Sequence, residues 1–398
     1  MNRIHLILPG VLASCLLSGC VTTPSLLPSA VTPAVPVTKA SALRRVPPEA
    51  LPVFSDDADT ESLRTAALQS ASYFRQLPVR QAYLIADDTY TARDLAESME
   101  SFAGLLQAAR TPAEWLHAVR DQFVAYQSVG TTSDRAVTFS SYYEPILSAR
   151  LQPDTLYCYP LYSRPDDLVD VDLGLFDPAW DGARLAGRRQ GQALVPYWTR
   201  GEIDGDQKLA GRKLEIAWAK NPMDIFFLQI EGSGWLDVGD GKPLRIRYDG
   251  HNGRKYRSVG QHVIASGRIP AKQFNHAAFL RYMDRHPRQR QALLNVNERY
   301  IFFRIDTSSA APDAYGNIDV PLTPGRSIAT DPKLFPKGLL AWIRVGALAR
   351  FVLNQDEGGA IQGPGRVDFF VGHGTEAEGF ATHFWDTGQL YFLIKRKP

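Results

Sequence analysis

Asp356-Glu357-Gly358-Gly359-Ala360-Ile361-Gln362-Gly363, followed three residues later by Val367-Asp368-Phe369-Phe370 after Arg366, is the most informative stretch of this 398-residue sequence. The glycines allow the backbone to approach a ligand closely, and Asp368 interrupts an apolar strand pattern. A carboxyl so placed is poorly solvated, which raises its pKa and keeps a proton available for acid catalysis. A buried structural aspartate bonded to backbone amides or to Arg366 accounts for the same spacing equally well.

Outward from this stretch, short apolar runs punctuated by Gly, Pro or Asp read as strands. They include Leu339 to Val345, Arg350 to Leu353, Val367 to Val371 and Leu390 to Ile394. Further upstream, Arg245-Ile246-Arg247-Tyr248, Phe226-Phe227-Leu228-Gln229-Ile230, Tyr157-Cys158-Tyr159 and Tyr300-Ile301-Phe302-Phe303 read the same way, with a helix from Asn275 to about His286. The 27 prolines and 31 glycines suit many short strands, and a compact barrel is expected. Between Thr60 and Tyr126 the period changes to helical. Leu63, Ala67, Ala71 and Phe74 form one stripe, Leu95, Met99, Phe102 and Leu106 a second, and Trp115, Val119 and Phe123 a third. Thr111-Pro112-Ala113-Glu114 reads as a capped helix start.

The N-terminus reads as an export signal over residues 1–19, with Arg3 before an apolar stretch from Ile4 to Leu17 that is too short to span a bilayer. Leu17-Ser18-Gly19-Cys20 resembles a lipobox, so Cys20 is the expected lipidated N-terminus, and Val21 after it, where an Asp would mark inner-membrane retention, does not indicate that retention. Residues 20–58 are rich in Pro, Ala, Val, Ser and Thr and read as a tether. With Cys15 in the signal and Cys20 acylated, Cys158 stands alone, and a structural role is expected for it.

A net charge of +2 gives no reason to expect nucleic-acid binding. No HExxH, CxxC pair or Walker loop occurs, so neither a metal nor a cofactor is called for. Asp386-Thr387-Gly388 matches a short aspartic-protease signature, but a turn between the last two strands is the expected reading.

Further motifs stand in order upstream of the stretch that begins at Asp356: Tyr142-Tyr143-Glu144-Pro145, Arg200-Gly201-Glu202-Ile203, Phe226-Phe227-Leu228-Gln229-Ile230-Glu231-Gly232-Ser233-Gly234, Asn252-Gly253 with Tyr256, and Ile301-Phe302-Phe303-Arg304. Asp331 in Arg326-Ser327-Ile328-Ala329-Thr330-Asp331-Pro332, with Asp356 and Asp368, looks like the three aspartates of the so-called 3D domain. Taken in order, these motifs resemble the family of membrane-bound lytic murein transglycosylase A. The resemblance implies a mainly β fold with N-terminal helices. A double-psi β-barrel from residues 59–145 and 307–398 would carry an inserted second β domain, residues 146–306, with the glycan between them. It also implies Asp368 as the catalytic acid and base, Asp356 and Asp331 as supporting residues, and Tyr142, Gln229, Ser233 and Tyr248 as sugar contacts, with Trp235 a further aromatic face. The partner would be peptidoglycan strands at the periplasmic face of the outer membrane. Ser141 and Gln362 depart from the family, which usually has glycine and lysine there. A non-catalytic wall-binding protein and a hydrolase using Asp356 as a second carboxylate are the rival readings.

Overall fold

Six strands rich in Val, Ile, Leu and Phe close into a ring in the computed structural model, which describes residues 38–397 apart from residues 40, 181 and 308–313. They are Val137–Glu144, Ser327–Ala329, Leu340–Val345, Leu348–Asp356, Arg366–His373 and Trp385–Lys395. Val137–Glu144 runs parallel to Arg366–His373, and Ser327–Ala329 parallel to Leu348–Asp356; the remaining contacts round the ring are antiparallel. The ring is closed where Trp385–Gly388 pairs with Val137–Ser140. Trp342, Phe351, Val367 and Leu393 are fully buried in its core.

Helices Thr60–Gln76, Ala92–Ala108 and Pro112–Gln122 put their apolar stripes into that same core, and every residue expected in the three stripes is buried, although Phe123 opens the strand Phe123–Ser128 instead of continuing the third helix. Each start is capped by a side-chain oxygen, from Asp59, Thr91 and Thr111 respectively. The chain leaves the ring at Pro145 and builds a second, six-stranded sheet. Its order is Ile301–Ile305, Leu244–His251, Gly234–Asp237, Ile146–Arg150, Glu215–Ala219, Tyr159–Tyr162. Glu144 pins the crossover: it is buried, accepts from Arg245 Nη2 at 3.3 Å and from Trp235 Nε1 at 3.2 Å, and so ties the end of a ring strand to two strands of the second sheet.

Several local expectations change. Phe226–Ile230 is not a strand but lies within the helix Pro222–Glu231. A five-residue apolar run has no period of its own that separates the two. The flanks decide it: Asn221 accepts from Met223 N, Pro222 fits the first turn, and Gly232 at φ 85° ends the helix in the left-handed region. Tyr157 and Cys158 precede the strand Tyr159–Tyr162, and the Cys158 side chain is exposed rather than packed. Asp386-Thr387-Gly388 is not a turn; it opens the last ring strand, paired with Val137–Phe139.

The end of the expected tether is packed as well. Leu43–Val46 adds a strand beside Phe123–Ser128, and Ala42, Leu43, Val46 and Phe54 are buried. Asp56 takes a two-pronged bond from the buried Arg326, at 2.7 and 2.8 Å. Small and apolar side chains without a period looked uncommitted, because their partners lie far along the chain, from Phe123–Ser128 to Arg326. Cys20 and the export signal fall outside the described residues. Among the described residues, no helix is long and apolar enough to cross a membrane.

Candidate active site

Strand alternation aims the central carboxyl. Val367 and Phe369 turn into the core of the ring together with Val137 and Phe139. Asp368 and Phe370 therefore share the opposite face with Ser140 and Tyr142, their register partners on the adjacent parallel strand. The Ser140 hydroxyl donates to Asp368 Oδ1, and Arg366 Nη2 donates to the same hydroxyl at 2.8 Å. Burial pushes the Asp368 carboxyl up to about 6; Ser140 and Arg366 hold it down, and the nearby Asp356 pushes it further up.

Asp356 ends the strand Leu348–Asp356. It accepts from the Tyr142 hydroxyl at 2.8 Å and from Asn317 N at 3.0 Å, while burial raises its pKa. Beneath it the buried Lys337 ammonium donates to Thr330 O at 2.8 Å, Thr330 Oγ1 at 3.1 Å, Asn354 Oδ1 at 3.2 Å and Asp356 O. Burial lowers the pKa of that lysine. Asp331 is buried and accepts from Lys333 N at 2.9 Å and Gly363 N at 2.8 Å, so it binds its own loop to the end of the glycine-rich one.

A cavity of about 580 Å³ opens against these groups, and Tyr142, Gln229, Ser233, Tyr248, Asp331 and Asp356 all line it. Asp368 is not on that lining, although part of its surface is exposed; its charge acts on Tyr142 and Glu231, which are on it. Trp235 is not on the lining either; its indole N–H donates to Glu144 and its ring lies against His373. Gln229 projects from the helix Pro222–Glu231, donates through Nε2 to Ile301 O at 3.3 Å, and leaves Oε1 buried without a partner. An orphaned buried acceptor on a groove wall suits a ligand hydroxyl. Gly234 allows the chain to pass close behind: a Cβ there would meet Pro145 O at 2.8 Å.

The two departures have structural counterparts. The Ser141 hydroxyl is buried without a hydrogen-bond partner. Gln362 donates to Gly359 O at 3.1 Å and carries no charge, while the buried Lys337 sets a cation near Asp356 from another loop.

Glu231, Arg299, Lys337 and Ser140 were not singled out from the sequence. Glu231 lines the cavity, accepts from Tyr143 N at 3.3 Å, and is pushed up to about 8 by burial and then by Asp368. Its one local signal is an acid at the end of an apolar run before Gly232. Ser140 could have been found by period two, as the residue two before Tyr142. Nothing local marks Lys337 or Arg299. His251, on the same wall, is driven down to about 4 by burial and by Arg299. Among the described residues no group of three or more His, Cys, Asp or Glu could hold a metal ion.

Comparison with known proteins matches residues 138–304 to the model of the MltA specific insert domain and residues 326–394 to that of the 3D domain. The membrane-bound lytic murein transglycosylase A of Escherichia coli (strain K12) is 29% identical over 300 residues, covering 70% of this chain and 73% of that one. The Vibrio cholerae protein of the same name is 26% identical over 282 residues, 68% of each. The crystal structure of a membrane-bound lytic murein transglycosylase from Agrobacterium tumefaciens superposes with a TM-score of 0.74 at 27% identity, covering 89% of this chain and 98% of that one. Its fold is accordingly mainly β and of two domains. With the insert model and the 3D model matched in this order, and relatives sharing both sequence and fold, the chain belongs to the family of membrane-bound lytic murein transglycosylase A.

Proposed function

We propose that the protein cleaves the bond between N-acetylmuramic acid and N-acetylglucosamine in peptidoglycan by lytic transglycosylation, with Asp368 as acid and then base. The observation that carries this reading is one partly exposed carboxyl, raised to about 6, beside a groove walled by hydroxyl, amide and aromatic groups. Protonated Asp368 delivers its proton to the glycosidic oxygen as the C1–O bond breaks. The muramic acid 6-hydroxyl attacks C1, and the Asp368 carboxylate takes that hydroxyl's proton, which leaves a 1,6-anhydro ring and a regenerated acid. The nucleophile belongs to the substrate, and such alignment is worth up to about 7–11 kcal/mol, so no second base is required. Ser140 and Arg366 orient the carboxylate, Asp356 holds Tyr142 at the wall, and Asp331 fixes the loop at Gly363. Gln229, Ser233 and Tyr248 meet sugar hydroxyls.

The closed ring of six strands supports a double-psi β-barrel formed by residues 59–145 and 307–398, with residues 146–306 as the inserted domain. Acylation at Cys20 would hold the enzyme at the periplasmic face of the outer membrane, consistent with relatives named as membrane-bound. Digestion of purified sacculi followed by mass spectrometry tests the reaction. Anhydro ends are expected; reducing ends would favour a two-carboxylate hydrolase, and no cleavage a wall-binding protein.

A further inference from the structure

Four cationic side chains line the groove: Arg200, Arg247, Arg299 and Lys333. Arg200 is spent internally, donating to Asn297 O at 3.0 Å and Arg299 O at 2.7 Å with Asp204 at 3.7 Å. Arg247 is paired with Asp319 at 3.2 Å and Asp306 at 3.7 Å. Lys333 is exposed. Arg299 differs from all three. It is half-buried, forms no ion pair among the described residues, and its guanidinium has a single acceptor there, Arg254 O at 3.3 Å.

Its setting is fixed. Arg200 holds the Arg299 carbonyl, and Asn297 Oδ1 accepts from the Arg299 amide at 3.3 Å. The guanidinium lies against the glycine-rich loop: a Cβ at Gly359 would be 3.8 Å from its Nε. Glu357, the acid acting on it, is exposed and outside pairing distance, and His251 beside it remains neutral at physiological pH. A partly desolvated guanidinium with free donors on a substrate groove is a site for a carboxylate, which it can grip with two parallel bonds.

We propose that Arg299 is the subsite for a carboxylate carried on the lactyl arm of the muramic acid residue, either the lactyl carboxylate itself or one on the attached peptide. This rests on the reading of the groove as a peptidoglycan site. A neutral chain of N-acetylglucosamine offers no such group, so Arg299 separates murein from other β-1,4 glycans.

The test measures binding of three ligands: chitohexaose, glycan strands stripped of peptide and so bearing free lactyl carboxylates, and peptide-bearing strands. The proteins are Asp368→Asn, to prevent turnover, and the same variant carrying Arg299→Gln or Arg299→Lys. Loss of a charged hydrogen bond should weaken a carboxylate ligand about ten- to a hundredfold more than chitohexaose, with Arg299→Lys recovering part of it. Whichever carboxylate ligand falls identifies the source. Equal losses on all three ligands, which a packing role would produce, or no loss on either carboxylate ligand, overturns the proposal. Product analysis of the parent on sacculi is independent. A selective loss alongside an absence of anhydro ends would keep the subsite and discard the transglycosylase reading.

Discussion

At the scale of single residues, Asp368 combines two opposed demands: burial raises its pKa toward the working range, while Ser140 and Arg366 keep it ionisable. Replacing it with Asn keeps the shape and removes the proton. Release of anhydro-muropeptides by Asp368→Asn should fall by roughly 10²–10⁴-fold or more while glycan binding survives, and near-parental release would defeat the mechanism. Because the cycle starts from the protonated acid, kcat/KM should fall about tenfold per pH unit above about 6, read from initial rates on soluble strands. The same shift has a stability sign. A carboxyl whose folded pKa lies above its unfolded value stabilises the fold most at low pH and loses that contribution as pH rises through about 6. Asp368→Asn should therefore stabilise the fold relative to the parent more at pH 8 than at pH 4.5, by about 2 kcal/mol in urea unfolding. An equal shift at both pH values would show that the carboxyl is not strained by burial. At the groove wall, the orphaned Gln229 Oε1 predicts that Gln229→Ala weakens muropeptide binding by about 1–3 kcal/mol; unchanged affinity in titration calorimetry removes it from the site.

At the scale of elements, the helix Pro222–Glu231 carries Gln229 and Glu231 and delivers Ser233 just past its end. Its apolar run reads as strand or helix with equal ease, and its identity rests on Asn221, Pro222 and Gly232. Asn221→Ala removes the acceptor for Met223 N and should cost about 1 kcal/mol in urea unfolding. The ion pair of Asp56 with Arg326 is the opposite kind of element, long-range and buried. Arg326 also donates to Ser62 Oγ, Phe351 O and Asp59 O, so one guanidinium binds the start of the first helix to the ring. Asp56→Ala would leave that charge buried without its partner and should destabilise by about 3–5 kcal/mol; a loss below about 1 kcal/mol in the same measurement would mean that water replaces the carboxylate.

At the scale of the whole molecule, the proposed anchor predicts that Cys20→Ala releases the protein from membranes on fractionation, and retention as tight as the parent's would discard the lipid. What the sequence determined by itself is whatever repeats at short range. The three helical stripes, the cap at Thr111 and the strands around Asp368 all depend on residues within a few turns of one another, where periodicity and capping act, and the order of the motifs from Tyr142 to Asp368 carried the resemblance to the family. Tertiary structure decided the rest. Leu43–Val46 is a strand only because Phe123–Ser128 offers an edge, and Phe226–Ile230 is helical because its ends, rather than its middle, are specified. Lys337 reaches Asp356, and Arg299 reaches Gly359, from loops with no sequence relation to those positions. A buried charge is marked by what surrounds it in space, and hydrophobic pattern along the chain carries no record of which distant carbonyl or carboxylate will satisfy it.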